Sequence, residues 1–203
     1  MSAIPFVFTP ETHTFMTPDG PRLSVTQILA KNGVCDFSFV DQETRLYSMD
    51  RGSKVHWLTE LEDGGGLNYR TVPKWLRGYR KGWNTWKRRS SFQISTVEER
   101  FVSRFGFGGI IDRTGMFPPS VFMGWGTSAV VDIKTGPVAD HARYQLCAYA
   151  VWAAGDNPKR AEYIRRIALR LKADGSYAVR EFPSCCFQMD WAQFMQWTRK
   201  ANG

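Results

Sequence analysis

The chain has no apolar run of the ~18 residues needed to span a bilayer. Its start, MSAIPFVFTPETHTF, has neither the charged beginning nor the long apolar middle of a signal peptide. These absences predict a cytoplasmic protein, of a bacterium or a phage-infected host cell, without a membrane partner. Cysteine is scarce: Cys35, Cys147 and the adjacent Cys185 and Cys186 show neither CxxC spacing nor a regular framework. Reduced thiols are expected in place of a disulfide scaffold or a zinc site. Internal repeats, low-complexity tracts and a linker long enough to divide the chain are also missing. With 203 residues, 43% of them apolar, the expectation is one domain spanning residues 1–203.

Acidic residues are outnumbered, 19 against 27 basic ones, which leaves a net charge of +8. That imbalance suits a polyanionic partner, either nucleic acid or an anionic surface. The excess is densest in KWLRGYRKGWNTWKRR, residues 74–89, which holds seven Lys or Arg and no acid. Trp75, Tyr79, Trp83 and Trp86 recur there at helical spacing and form one aromatic stripe. The stripe is either a platform for unpaired bases or the buried face of an amphipathic helix, and the second reading is the more ordinary. Arg77, Arg80, Lys81 and Lys87 fall on the outer face, where they could hold a nucleic-acid backbone.

Elsewhere helical and strand patterns alternate. THTFMTPDGPRLSVTQILAKNG reads as an extended hairpin followed by a helix, with Ser24 and Gln27 spaced as a capping box and Gly33 as the stop. A longer helix is expected over roughly 41–62, a loop at the glycines 64–66, and a basic helix opened by Pro73. The period then changes to two. Two strands should turn near Gly106, TSAVVDIKTG should be a third, and a helix follows from ADHARYQ. Two more strands should flank Asp174 and Gly175, before a terminal helix. This order predicts an α/β fold of α+β character: a central mixed β-sheet flanked by helices, with a helical part over about 24–92 and the sheet over about 95–203.

AVVDIKTG, residues 129–136, places an aspartate and a lysine inside an apolar run. On a strand Asp132 and Lys134 share one face, while Val131, Ile133 and Thr135 share the other. Asp112 is expected to end a neighbouring strand, GGIID, and so bring a second carboxylate beside the first. Two close carboxylates raise one another's pKa unless a cation neutralises them, and Mg²⁺ or Mn²⁺ prefers such oxygen ligands. Lys134 could then stabilise charge on a phosphoryl oxygen. A salt bridge from Lys134 to Asp112 or Asp132 at a sheet edge accounts for the same pattern without chemistry.

VEERFVSRFGFGGIID, AVVDIKTG and YQLCAYA together resemble the PD-(D/E)XK nuclease superfamily, in its RecB-like exonuclease branch. RGSKVHWLTE matches the upstream R-G-x-x-x-H helix of that branch, and THTFMTPDGPRLSVTQIL is similar to the start of small phage and mitochondrial-type exonucleases. The resemblance runs from about residue 8 to the end, with five loose motifs in the family's order. One departure is Ile111, which stands where the family's nominal proline precedes Asp112.

The resemblance implies a restriction-endonuclease-like core and a role for each matched position. Asp112 and Asp132 would bind Mg²⁺ or Mn²⁺, with His56 and the main-chain carbonyl of Ile133 as further ligands. Lys134 would be the catalytic lysine and Glu98 the remaining catalytic acid, although the adjacent Glu99 competes for that place. Gln145 and Tyr149 would border the DNA, and Gly108 and Gly109 would allow close approach of backbone or DNA unless they only form a bulge. His56 taken alone is an ordinary helix histidine, and Gln145 with Tyr149 an ordinary polar helix face. The implied activity is a metal-dependent exonuclease that hydrolyses phosphodiester bonds at DNA ends or single strands, in recombination, repair or phage DNA processing. A structure- or sequence-specific endonuclease and a non-catalytic DNA-binding component are the alternatives. A partner protein in recombination or repair would be unknown.

Overall fold

The computed structural model describes residues 4–35, 40–119 and 126–203. A three-stranded antiparallel sheet comes first, β1 (Val7–Thr9), β2 (Thr14–Thr17) and β3 (Gly20–Arg22). The hairpin of β2 and β3 follows the sequence reading, while β1 adds a third strand too short to show a period. Helix α1 (Val25–Lys31) starts where the capping box places it. Ser24 Oγ accepts from the Gln27 amide at 3.2 Å, and the Ser24 amide donates back to Gln27 Oε1 at 2.8 Å. Such a cap contributes about 1 kcal/mol. The helix buries Val25, Ile28 and Leu29 and ends at Asn32, ahead of a left-handed Gly33.

Helix α2 (Gln42–Asp63) is capped by Asp41, whose carboxylate accepts from the Thr44 amide at 2.8 Å. Helix α3 (Arg77–Ser90) begins later than Pro73 suggested, because a 3₁₀ turn, Lys74–Leu76, intervenes. Tyr79, Trp83 and Trp86 are buried, while Trp75 stays 44% exposed. Three of the four stripe aromatics are therefore core, and Trp83 and Trp86 stack with ring centroids 5.4 Å apart. They pack with Val131, Ile133, Ile167, Leu169 and Leu171 of the main sheet.

That sheet runs β4 (Gln93–Ser103), β5 (Phe107–Phe117), β6 (Thr127–Lys134), β7 (Arg165–Leu171), β8 (Tyr177–Phe182). Neighbours are antiparallel except β6 and β7, which are parallel across helix α4 (Ala142–Ala153) and the short α5 (Pro158–Ala161). A parallel pair needs such a crossover. Helix α6 (Phe187–Asn202) closes the described chain. Alternation along β6 and β7 divides the core: Val131 and Ile133 meet α2 and α3, while Val130 and Ala168 meet α1, α4 and α6. The protein is thus a mixed α/β fold with a five-stranded sheet flanked by helices. All four cysteines are free, and no described helix is long and apolar enough to cross a membrane.

Gly78 marks the closest approach of α3 to the turn between β7 and β8. A Cβ there would lie 1.7 Å from the carbonyl oxygen of Ala173. Gly78→Ala should therefore force the two apart and destabilise the protein by about 2–3 kcal/mol, read as a lower urea midpoint. An unchanged midpoint would mean that the turn does not press on α3.

Candidate metal centre

The site forms where two strands part. The β5–β6 ladder runs from Phe117 and Thr127 as far as Arg113 and Val131 and then stops. The next amide in line, that of Ile133, donates to Asp112 Oδ2 at 2.6 Å, so a carboxylate replaces the missing ladder carbonyl. In extended backbone one residue's N–H and C=O point to the same edge. The Ile133 carbonyl therefore also faces the gap. Asp112 does not end its strand as the apolar run GGIID suggested. β5 continues to Phe117 through the buried Arg113, and Asp112 sits where the ladder with β6 ends.

Glu98 lies across from Asp112, since Val97 pairs with Arg113 and Glu99 with Ile111. Its backbone is left-handed, φ 48°, a conformation that costs a non-glycine residue on the order of 1 kcal/mol. Glu98 Oε1 is 3.6 Å from His56 Nδ1, and Asp112 Oδ1 is 3.5 Å from the same nitrogen. These three side chains, on α2, β4 and β5, present ligand atoms all within 4.8 Å of one another. Glu99 points elsewhere: it accepts from Thr96 Oγ1 at 2.7 Å and from Trp152 Nε1 at 3.2 Å. Geometry thus separates two acids that sequence left in competition.

Asp132 is buried beside this cluster without being one of the three. Lys134 Nζ reaches both its oxygens, at 3.0 Å and 2.8 Å, yet Oδ2 has no aligned hydrogen-bond donor. Lys134 Nζ also lies 3.4 Å from Gln145 Oε1, and Gln145 Nε2 donates to the Tyr149 hydroxyl at 2.9 Å. Burial above all, then the negative charge of Asp132, pushes the Tyr149 phenol well up, so it stays neutral. Gly108 and Gly109 admit aromatic rings: a Cβ at Gly108 would strike Phe15, and one at Gly109 would strike Phe101 and Tyr149.

The cations of the basic helix also make contacts within the fold. Arg80 pairs with Glu62 at 2.7 Å and lies over the Tyr69 ring, while Lys87 pairs with Asp63. Arg77 Nε donates to the Val72 carbonyl at 3.2 Å, and the Lys81 stem lies near Gly175. Two residues with no place in the sequence reading support the site from behind. Arg113, fully buried, donates to Asp63 at 2.7 Å, Glu98 at 3.2 Å and Thr59 at 3.1 Å. Asp63 in turn accepts from Trp83 Nε1 at 2.9 Å. A strand arginine directly after Asp112 was the available signal.

No protein-family model matches the chain, and no curated protein matches it either.

The donor set suits a hard divalent cation. It offers one imidazole and the carboxylates of Glu98 and Asp112, with the buried carboxylate of Asp132 and a backbone carbonyl beside them. The electrostatics point the same way. Burial drives the Asp112 carboxyl up to about 6, against the pull of His56 and with further push from Asp132 and Glu98. Burial lowers the His56 imidazole, but Asp112 and then Glu98 outweigh it and raise it to about 9. In the metal-free protein a protonated His56 is thus the counter-charge of the acids.

The sign follows from linkage. A histidine raised on folding contributes stability that is complete below its unfolded pKa, ~6.5, and lost as pH rises through about 9. Asp112, also raised, adds to the loss as pH rises through about 6. EDTA-treated protein should therefore lose on the order of 2 kcal/mol between pH 6 and pH 9, with allowance for the partly exposed imidazole. His56→Gln should flatten that loss in thermal melts across the range. A wild-type Tm independent of pH would contradict this charge arrangement.

Proposed function

We propose that the protein is a Mg²⁺- or Mn²⁺-dependent deoxyribonuclease of the PD-(D/E)XK type, acting as an exonuclease on DNA ends or single strands. One observation carries the reading. His56, Glu98 and Asp112 converge beside the buried carboxylate of Asp132, which holds Lys134 next to them. A structural salt bridge accounts for Lys134 and Asp132 but not for three further ligating groups gathered at a splayed strand pair. His56, Glu98, Asp112, Asp132 and the Ile133 carbonyl would hold the ion. Bound there, the ion supplies Lewis acidity and charge neutralisation at a phosphoryl oxygen.

The chain's own residues do the rest. Asp132 and Gln145 fix the Lys134 ammonium from two sides, so it enters the reaction already oriented. Burial lowers the Lys134 pKa, but Asp132 and then Asp112 outweigh it, so the net shift is upward and the ammonium stays charged. A fixed ammonium donates to oxygen on which charge accumulates in the transition state, where it counts most. The neutral Tyr149 hydroxyl and Gln145 amide orient without adding charge. The basic excess of the chain favours a polyanion as substrate.

The test is a time course on 5′- and 3′-labelled single- and double-stranded DNA and on closed circular DNA, with Mg²⁺, Mn²⁺ or EDTA. End-dependent products in either metal, none in EDTA, and an intact circle are expected. A cut circle would make it an endonuclease of the same architecture. DNA binding with no products in any metal would leave a binding module and end the catalytic reading.

A further inference from the structure

Lys134 on β6 and Arg170 on β7 are register partners in the sheet's parallel pair. Partners on adjacent strands lie about 4.8 Å apart and share a face, so the two cationic side chains leave the sheet from neighbouring positions, on the face that carries Asp132. Like charges so placed repel. Lys134 is neutralised by Asp132. Arg170 is not: among the described residues it joins no ion pair and its buried Nε has no hydrogen-bond partner. The other arginines of β5, β7 and β8 behave differently. Arg113, Arg165, Arg166 and Arg180 each meet a carboxylate. Asp140, the acid in the loop before α4, is already taken by Arg180.

A buried guanidinium nitrogen without an acceptor, next to a second cation, is unfavourable in the free protein. It becomes favourable once an anion arrives. We infer that Arg170 is a phosphate-binding residue, receiving the non-bridging oxygens of the phosphodiester next to the one that faces Lys134. The inference rests on the nuclease reading and adds a direction to it: the DNA strand crosses from the gap between β5 and β6 over β6 to β7. The planar fork of arginine matches two phosphate oxygens at once, which an ammonium does not.

The experiment measures binding of a labelled single-stranded oligonucleotide, with a 5′-phosphate or a 5′-hydroxyl, in Ca²⁺ over a salt series. Wild type, Arg170→Gln and Arg170→Lys are compared, and cleavage in Mn²⁺ is followed in parallel. Arg170→Gln should weaken binding on the order of tenfold and flatten the log K against log salt slope by about 0.7, one phosphate's share on a single strand. Arg170→Lys should restore the slope, and Tm should hold in both variants, with any rise confined to Arg170→Gln, which alone removes the charge. An unchanged slope in Arg170→Gln, beside a wild type that binds and cleaves, would overturn the inference alone. So would a fall in Tm shared by both variants, which marks a structural arginine, or an effect confined to 5′-phosphorylated DNA, which marks a terminal-phosphate pocket. A wild type that neither binds nor cleaves DNA would remove the nuclease reading and this inference together.

Discussion

Asp132→Asn is expected to lower metal-dependent DNA hydrolysis by roughly a thousandfold or more, while the protein folds as before. The size follows from what the carboxylate does twice. It would offer an oxygen to the cation, and it anchors the Lys134 ammonium through both oxygens. Losing one preorganised electrostatic group costs about 10²–10³ in rate, and here one substitution disturbs two. Stability should not fall with activity. The amide fills the same space without a buried negative charge, and Lys134, 32% exposed, can turn to water. DNA binding without metal should hold or tighten, since a negative charge leaves the phosphate path. Activity within tenfold of wild type, measured on purified folded protein, would remove Asp132 from the site.

The companion variant Asp112→Asn should be as inactive, and the pair together no worse than either alone, because groups acting through one ion fail as a unit. The opposite, two losses that multiply, would mean that the aspartates act on separate events. That outcome would separate the splayed strand pair into two sites.

What the sequence shows and what it hides divide along physical lines. Alternation along AVVDIKTG is a property of one strand, so the opposition of Val131 and Ile133 to Asp132 and Lys134 is readable before any fold is known. Glu98 against Glu99 was not readable. A regular strand sends them to opposite faces without saying which faces the acids, and a left-handed φ at Glu98 departs from the regular case. The basic helix hides its intramolecular partners for a different reason. Arg80 and Lys87 look like outward cations until α2 brings Glu62 and Asp63 alongside, and only tertiary packing sets that meeting. Arg170 is the converse: one arginine among many in sequence, singled out by its neighbour in the sheet and its missing partner.

Arg113 gives the largest expected effect on stability, because it joins α2 to the sheet behind the candidate centre. Its guanidinium donates to Asp63 and Thr59 on α2, to Glu98 on β4, and at 2.5 Å to its own neighbour's carbonyl at Asp112. None of its surface reaches water. Arg113→Met should cost about 3–5 kcal/mol, the range for removing one partner of a buried ion pair, and that is much of a typical domain's 5–15 kcal/mol. Arg113→Lys should recover only part, since a single ammonium cannot span α2 and β4 as the fork does. Adding Asp63→Leu to Arg113→Met should recover more than the Asp63 change alone would suggest, because it removes the charge left stranded. Lys87, its other cation, is 22% exposed and can reach solvent. Urea denaturation of the four proteins gives the coupling directly. A single-variant loss below about 1 kcal/mol would mean that apolar packing, not this arginine, holds α2 and with it His56 in place.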